Sequence, residues 1–175
     1  EKDHYLLNAG YILQQLVLAL TSMDLGTCWV GMAKPEETEF EGMPFVILVV
    51  FGEAAESVHR ESVSEFKRKN FDDITDIHGH GGLLGVVRLA PSAVNSQPWL
   101  FTAWRDKIVI ARTKQNMVKA VFLDRFNQID MGIAMCHLQI GAEKLAQRAV
   151  FSYQECPVPK NSYFVAAAEL QRIRP

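Results

Sequence analysis

The 175-residue chain is poor in cysteine, in unbroken apolar sequence and in net charge. Its three cysteines are an odd number and outline no disulfide framework, so a reducing, cytoplasmic setting is expected. No Cys-x-x-Cys pair is present for thiol exchange. The longest apolar runs, Leu16 to Leu20 and Pro44 to Phe51, fall far short of a bilayer span. The opening Glu1-Lys2-Asp3-His4 lacks the basic start and apolar run of a signal peptide. A net charge of -2 argues against a nucleic-acid backbone binder, which carries a basic excess. There is no Walker loop and no Gly-x-Ser-x-Gly elbow. Gly79, Gly81, Gly82 and Gly85 miss the dinucleotide fingerprint. Its third glycine would fall at Leu84, and a charged connector stands where the strand should be. His78 and His80, without cysteine or carboxylate at zinc spacing, read as part of a glycine-rich hinge, and no metal site is expected.

What remains is an ordinary globular composition, 49% hydrophobic and 22% charged, enough for a substantial core. Asn8 to Met23 reads as a helix apolar on most faces and therefore buried, stopped at Gly26. Thr27 to Met32 follows as an extended segment. Pro35 to Gly42 is an acidic loop with a helical turn starting at Pro35. Phe45 to Phe51, a β-branched and aromatic run, reads as a central strand. Glu56 to Phe71 is a charged connector, and Leu83 to Leu89 is either a helix or a buried strand. Phe101 to Trp104 and Lys107 to Ala111 form two strands across a turn at Arg105-Asp106. Asp124 to Gln147 is a second long helix and Phe164 to Ala168 a last strand.

The two long helices align. Asn8-Ala9-Gly10-Tyr11-Ile12 matches Asp130-Met131-Gly132-Ile133-Ala134 at an offset of 122, pairing Leu16 with Leu138 and Met23 with Leu145. Each helix leads to a strand opening with Phe-Val, at Phe45 and at Phe164. The recurrence indicates two half-units related by a rough two-fold. Residues 1–71 would be the C-terminal part of the first half-unit and residues 72–175 the second. The first helix starts almost at once, so the first half-unit reads as truncated at its N-terminal side.

Three segments could carry chemistry. Ala90-Pro91-Ser92-Ala93-Val94-Asn95-Ser96-Gln97-Pro98-Trp99 is fenced by two prolines and presents Ser92, Asn95 and Gln97 on a stiff loop. Amides offer both donors and acceptors, which suits a flat heteroaromatic ligand, and Trp99 supplies an apolar wall. An ordinary turn with local caps is the competing reading. In Leu25-Gly26-Thr27-Cys28-Trp29-Val30-Gly31, two glycines allow close backbone approach. Cys28 lacks a basic neighbour in the sequence and reads as a buried, inert thiol. Lys67-Arg68-Lys69 is the tightest basic cluster and could meet a phosphate or simply be solvated.

These segments resemble those of the nitroreductase superfamily of flavin-dependent oxidoreductases. The proline-fenced loop is similar to its flavin loop, Asp24 to Gly31 to its Gly-Leu-Gly-Thr-Cys-Trp-like turn, and Arg68-Lys69 to its closing basic pair. The order of the two main motifs is reversed here, which resembles single-chain tandem members that imitate the usual homodimer. The resemblance implies an α+β, nitroreductase-like fold with helices packed on a mostly antiparallel sheet and two half-units in one chain. It implies non-covalent FMN in one composite site. Asn95 and Gln97 would meet the ring edge, Ser92 the ribityl or phosphate end, Thr27, Cys28, Trp29, Val30 and Gly31 the ring, Trp99 its wall, and Lys67 and Arg68 the phosphate. NADH or NADPH would donate hydride to the flavin, which passes it to nitro compounds or quinones in a ping-pong scheme, with no catalytic side chain needed. The expected state is a monomer with an intrachain pseudo-dimer, or a weak homodimer, that binds small molecules and neither nucleic acid nor membrane. Two departures bear on this. No Arg-rich segment precedes residue 8, and Gln147 to Phe151 has no Gly-Thr-Cys-Trp sequence. The alternative is a flavin-binding or flavin-free module whose catalysis has decayed.

Overall fold

The computed structural model describes residues 4–79, 81–115 and 117–173, the side chains of 117–121 excepted. Helix α1 (Tyr5–Ser22) leads to strand β1 (Leu25–Val30), a short hairpin of β2 (Glu39–Phe40) and β3 (Met43–Pro44), and β4 (Leu48–Glu53). A long connector with two 3-10 turns reaches α2 (Gly81–Arg88). Then come β5 (Trp99–Trp104), β6 (Lys107–Thr113), the 28-residue α3 (Met117–Lys144), β7 (Gln147–Ser152) and β8 (Ser162–Arg172). β5, β6, β8 and β7 lie in that order in one antiparallel sheet, while β1 pairs only with β4. The result is an α+β fold with antiparallel sheets, as expected.

The core lies around α3. Ile129, Met131, Ile133, Ala134, Met135, Leu138 and Ala142 are all buried, against Leu83, Leu84 and Val87 of α2 and Phe101, Ile108 and Ile110 of the sheet. Residues 129–138 of α3 are all buried and mostly apolar, while the charged Asp124, Arg125, Glu143 and Lys144 lie exposed towards its ends. Some of the polar groups inside pair with one another, although Gln14 Oε1 and Asn127 Nδ2 find no partner among the described residues. His137 donates from Nδ1 to the Val86 carbonyl at 3.0 Å and accepts from Gln14 Nε2 at 3.0 Å. Burial pushes its pKa down, consistent with a neutral ring.

α1 and α3 cross at two glycines. A Cβ at Gly10 would strike the Ile129 carbonyl oxygen, and one at Gly132 the Leu7 carbonyl oxygen. The contact is reciprocal, each partner also displaced by the 122-residue offset. The correspondence continues. β7 covers the residues 122 beyond β1, and left-handed Asp24 (φ 63°) and Ala146 (φ 55°) join helix to strand in each case. Leu25 pairs with Glu53 as Gln147 pairs with Arg172. β7 thus occupies the place of the Gly-Thr-Cys-Trp strand although its sequence is unrelated, and the sequence reading assigned it no strand.

Three expectations need correction. α1 is not buried all round: Ile12 and Leu16 are 63% and 47% exposed, whereas their counterparts Ala134 and Leu138 are fully buried. The reason is α2, which covers α3 but not α1. Likewise β4 is not a central strand. It pairs on one edge only, and Phe51 stands 62% exposed. The turn expected at Pro35 is also absent; a hairpin at Glu41-Gly42 takes up that stretch.

Candidate functional site

The proline-fenced loop lies between α2 and β5, and the β1 turn comes to meet it. Together with α3 they enclose a cleft of about 210 Å³. Trp29 and Gly31 form one wall, Pro91, Ser92, Ala93 and Val94 another, and Phe126, Ile129, Asp130 and Ile133 the floor. Ile47 closes the side. The lining is mostly apolar with a few polar groups, the usual character of a ring-binding site. The indole N–H of Trp29 is buried and finds no acceptor on the protein among the described residues.

The loop is held in a strained shape. Val94, Asn95 and Gln97 all have positive φ, at 47°, 55° and 47°, which non-glycine residues seldom adopt. Dense hydrogen bonding fixes them. Ser92 Oγ accepts from Gln97 N–H at 2.9 Å. The buried Gln97 carboxamide accepts from Lys69 N–H at 2.8 Å and donates to Asn95 O and Oδ1, both at 3.2 Å. Asn95 Nδ2 donates to the Lys67 carbonyl at 2.8 Å. Asp130 reaches up from α3 and accepts the Ala93 N–H at 3.0 Å. Burial lifts its pKa to about 7, partly opposed by the Ala93 N–H and the Ser96 hydroxyl.

Beside the loop is a cluster of cations. Arg68 donates to the Leu89 carbonyl at 3.0 Å and to Asn95 Oδ1 at 3.2 Å. Arg88 donates to the Lys69 carbonyl at 2.6 Å, and Lys69 Nζ to the Gln97 carbonyl at 2.9 Å. The pKa of Arg68 is lowered by burial and then by Arg88; that of Lys69 is lowered by burial, partly offset by Asp73. Among the described residues none of the three makes an ion pair with a carboxylate. Cations crowded together on neutral carbonyls are suited to an anion such as a phosphate.

The sequence-predicted residues fall into four groups. Trp29, Gly31 and Ser92 line the cleft. Asn95, Gln97, Lys67 and Arg68 form the adjoining network, where the two amides bond to the protein rather than lining the cleft. Thr27, Cys28 and Val30 are on β1 outside the cleft lining, with Cys28 exposed rather than buried. Trp99 is wholly buried in the core and does not line the cleft. The cleft touches only the C-terminal end of β1: Trp29 near its end and Gly31 just beyond it line the cleft, while Thr27, on the same face as Trp29 by alternation, lies outside the lining. His78 is exposed and His80 lies outside the described residues; among the described residues no three His, Cys, Asp or Glu side chains cluster as metal ligands. Phe126, Asp130, Ile133 and Arg88 were not foreseen. Only the helical spacing of Phe126, Ile129, Asp130 and Ile133 could have grouped them.

The donor set fits a flavin nucleotide in kind. An apolar slot accepts a flat ring, Trp29, whose buried indole N–H is unpaired, lines it, and cations adjoin the same loop. The cleft volume suits a ring system better than a whole nucleotide, since sites for drug-sized ligands run to roughly 300–1,000 Å³.

No curated protein matches the chain. A crystal structure of a putative nitroreductase from Thermotoga maritima is similar, with a TM-score of 0.67 at 21% identity, over 97% of this chain and 67% of that one. At that identity the likeness speaks for the fold. A family model described as "Putative TM nitroreductase" matches residues 1–142. That match spans most of the chain, including α1, the β1 turn, the proline-fenced loop and most of α3, so the chain belongs to this nitroreductase family.

Proposed function

We propose that the chain is an FMN-dependent NAD(P)H oxidoreductase of the nitroreductase type, reducing nitro compounds or quinones. One observation carries the reading: the two segments that resemble flavin-binding motifs, distant in sequence, meet in one cleft beside a cluster of cations that makes no carboxylate ion pair among the described residues. When bound, FMN supplies the chemistry, taking hydride from NADH or NADPH and passing it to the acceptor.

The chain's own residues bind and orient. Trp29, Gly31, Pro91 and Ile133 would hold the ring and keep water from it. Ser92 and the Trp29 indole N–H are the polar groups nearest to hand, and Arg68, Lys69 and Arg88 would take the phosphate. Asn95 and Gln97 would act indirectly, fixing the loop to the cation-bearing segment. The half-units proposed from the sequence, residues 1–71 and 72–175, would each contribute a wall: Trp29 from the first, Pro91 to Val94 from the second. The site would then be intrachain and would need no second subunit, in keeping with a monomer or weak homodimer. Three free thiols fit a reducing, cytoplasmic compartment. The decayed-module alternative is favoured by one observation, the two loop amides already satisfied by the protein.

The test is spectroscopic. Protein reconstituted with FMN should be yellow, and its flavin absorbance should bleach anaerobically on adding NADH or NADPH, returning with a nitroarene or quinone. Bound flavin that no nicotinamide bleaches would instead favour the decayed module.

A further inference from the structure

Asp130 stands out as a buried carboxylate that the proposed reaction does not use. It lies on the floor of a mostly apolar cleft and is only 3% exposed. Both carboxylate oxygens lie within reach of one backbone group, Ala93 N–H, at 3.0 and 3.2 Å. The Ser96 hydroxyl is its other hydrogen-bonding neighbour, and among the described residues no cation forms an ion pair with it. Its α3 neighbours in the cleft are Phe126, Ile129 and Ile133; β1 brings Trp29, the segment before β4 brings Ile47, and the loop brings Pro91, Ser92 and Val94. The charged side chains of Arg68 and Lys69 meet the loop at Asn95 and Gln97 instead, and Lys67 meets it through its backbone carbonyl. An unpaired buried carboxylate costs stability. Residues that cost stability and yet sit at a site commonly serve that site.

We propose that Asp130 is the positioning residue of the cleft, its ionised carboxylate pinning the loop backbone at Ala93 so that Pro91 to Val94 form a fixed wall for the ligand. The inference rests on the flavin reading only for the identity of that ligand. A carboxylate accepts an N–H bond more strongly than a carboxylic acid does. Protonation therefore loosens the loop. Burial raises the folded pKa to about 7 from 3.8, so the charge is present above that pH and lost below it. The stability sign is opposite. The folded state binds the proton more tightly than the unfolded chain, so this group favours folding at low pH and loses that contribution as pH rises towards about 7.

The experiment follows the Ala93 backbone amide by NMR and riboflavin binding by fluorescence, between about pH 5.5 and 8.5, in the wild type and Asp130→Asn. Riboflavin carries no phosphate, so the titration of that group does not intrude. The Ala93 amide should titrate in the wild type with a midpoint near 7 and be flat in Asp130→Asn. Riboflavin affinity should rise several-fold with pH in the wild type and not in the variant. The variant should bind more weakly at the upper pH while melting at a higher temperature there, a combination that a merely structural role would not give. A wild-type Ala93 amide that ignores pH, or that titrates equally in the variant, overturns the proposal, and the wild-type arm decides even if the variant does not fold. A titrating Ala93 amide with no riboflavin binding upholds the positioning role and removes the flavin reading instead.

Discussion

Gly10 and Gly132 let the backbones of α1 and α3 touch. A helix-interior glycine costs about 1 kcal/mol against alanine, and close packing offsets that cost here. Adding a methyl at either position drives it into backbone, which cannot give way as a side chain could. Gly10→Ala and Gly132→Ala are each expected to destabilise by about 3 kcal/mol or more, read from denaturant midpoints. Equal stability in either variant would mean the helices sit farther apart. Sequence pattern placed these glycines at equivalent points of two helices. It could not say that each faces the other's carbonyl, because a crossing point depends on tertiary packing. The same limit applies to Asn95 and Gln97. Their loop was legible from two prolines and three polar side chains, but their partners come from residues 67–69, brought alongside only by the fold.

At the level of elements, α1 and α3 show what neighbours do to similar sequences. Leu16 and Leu138 are equivalent in register, yet one is 47% exposed and the other fully buried under α2. Leu138→Ala should cost about 2–5 kcal/mol, and Leu16→Ala much less than half of that. Thermal or urea unfolding of the two variants checks the contrast; comparable losses would mean that α1 is covered as α3 is. Element type was largely readable, since helix periodicity and β-branched runs are local signals. Enclosure was not. The Phe45 to Phe51 run has the composition of a central strand, but β4 lies at a sheet edge because β1 is its sole partner. β7 was missed because Gln147-Arg148-Ala149-Val150 is too short and polar to announce a strand; its pairing with β8 makes it one.

Over the whole molecule, α1 and β1 lie 122 residues before α3 and β7 in the sequence, but the positions this relates are not equivalent as sites. Where Gly31 leaves room against Phe126, the residue 122 positions on is Tyr153, stacked on His4 with ring centroids 4.2 Å apart. The loop that walls the cleft comes once, between α2 and β5. Under the proposed function, one flavin site per chain is expected, with Trp29 and the loop as its two sides. The most direct measurement is equilibrium titration of the chain with FMN, following flavin fluorescence and weighing bound flavin against protein. A stoichiometry of one FMN per chain, displaced by riboflavin, is the expected result. No saturable binding, or two equivalent sites per chain, would contradict it.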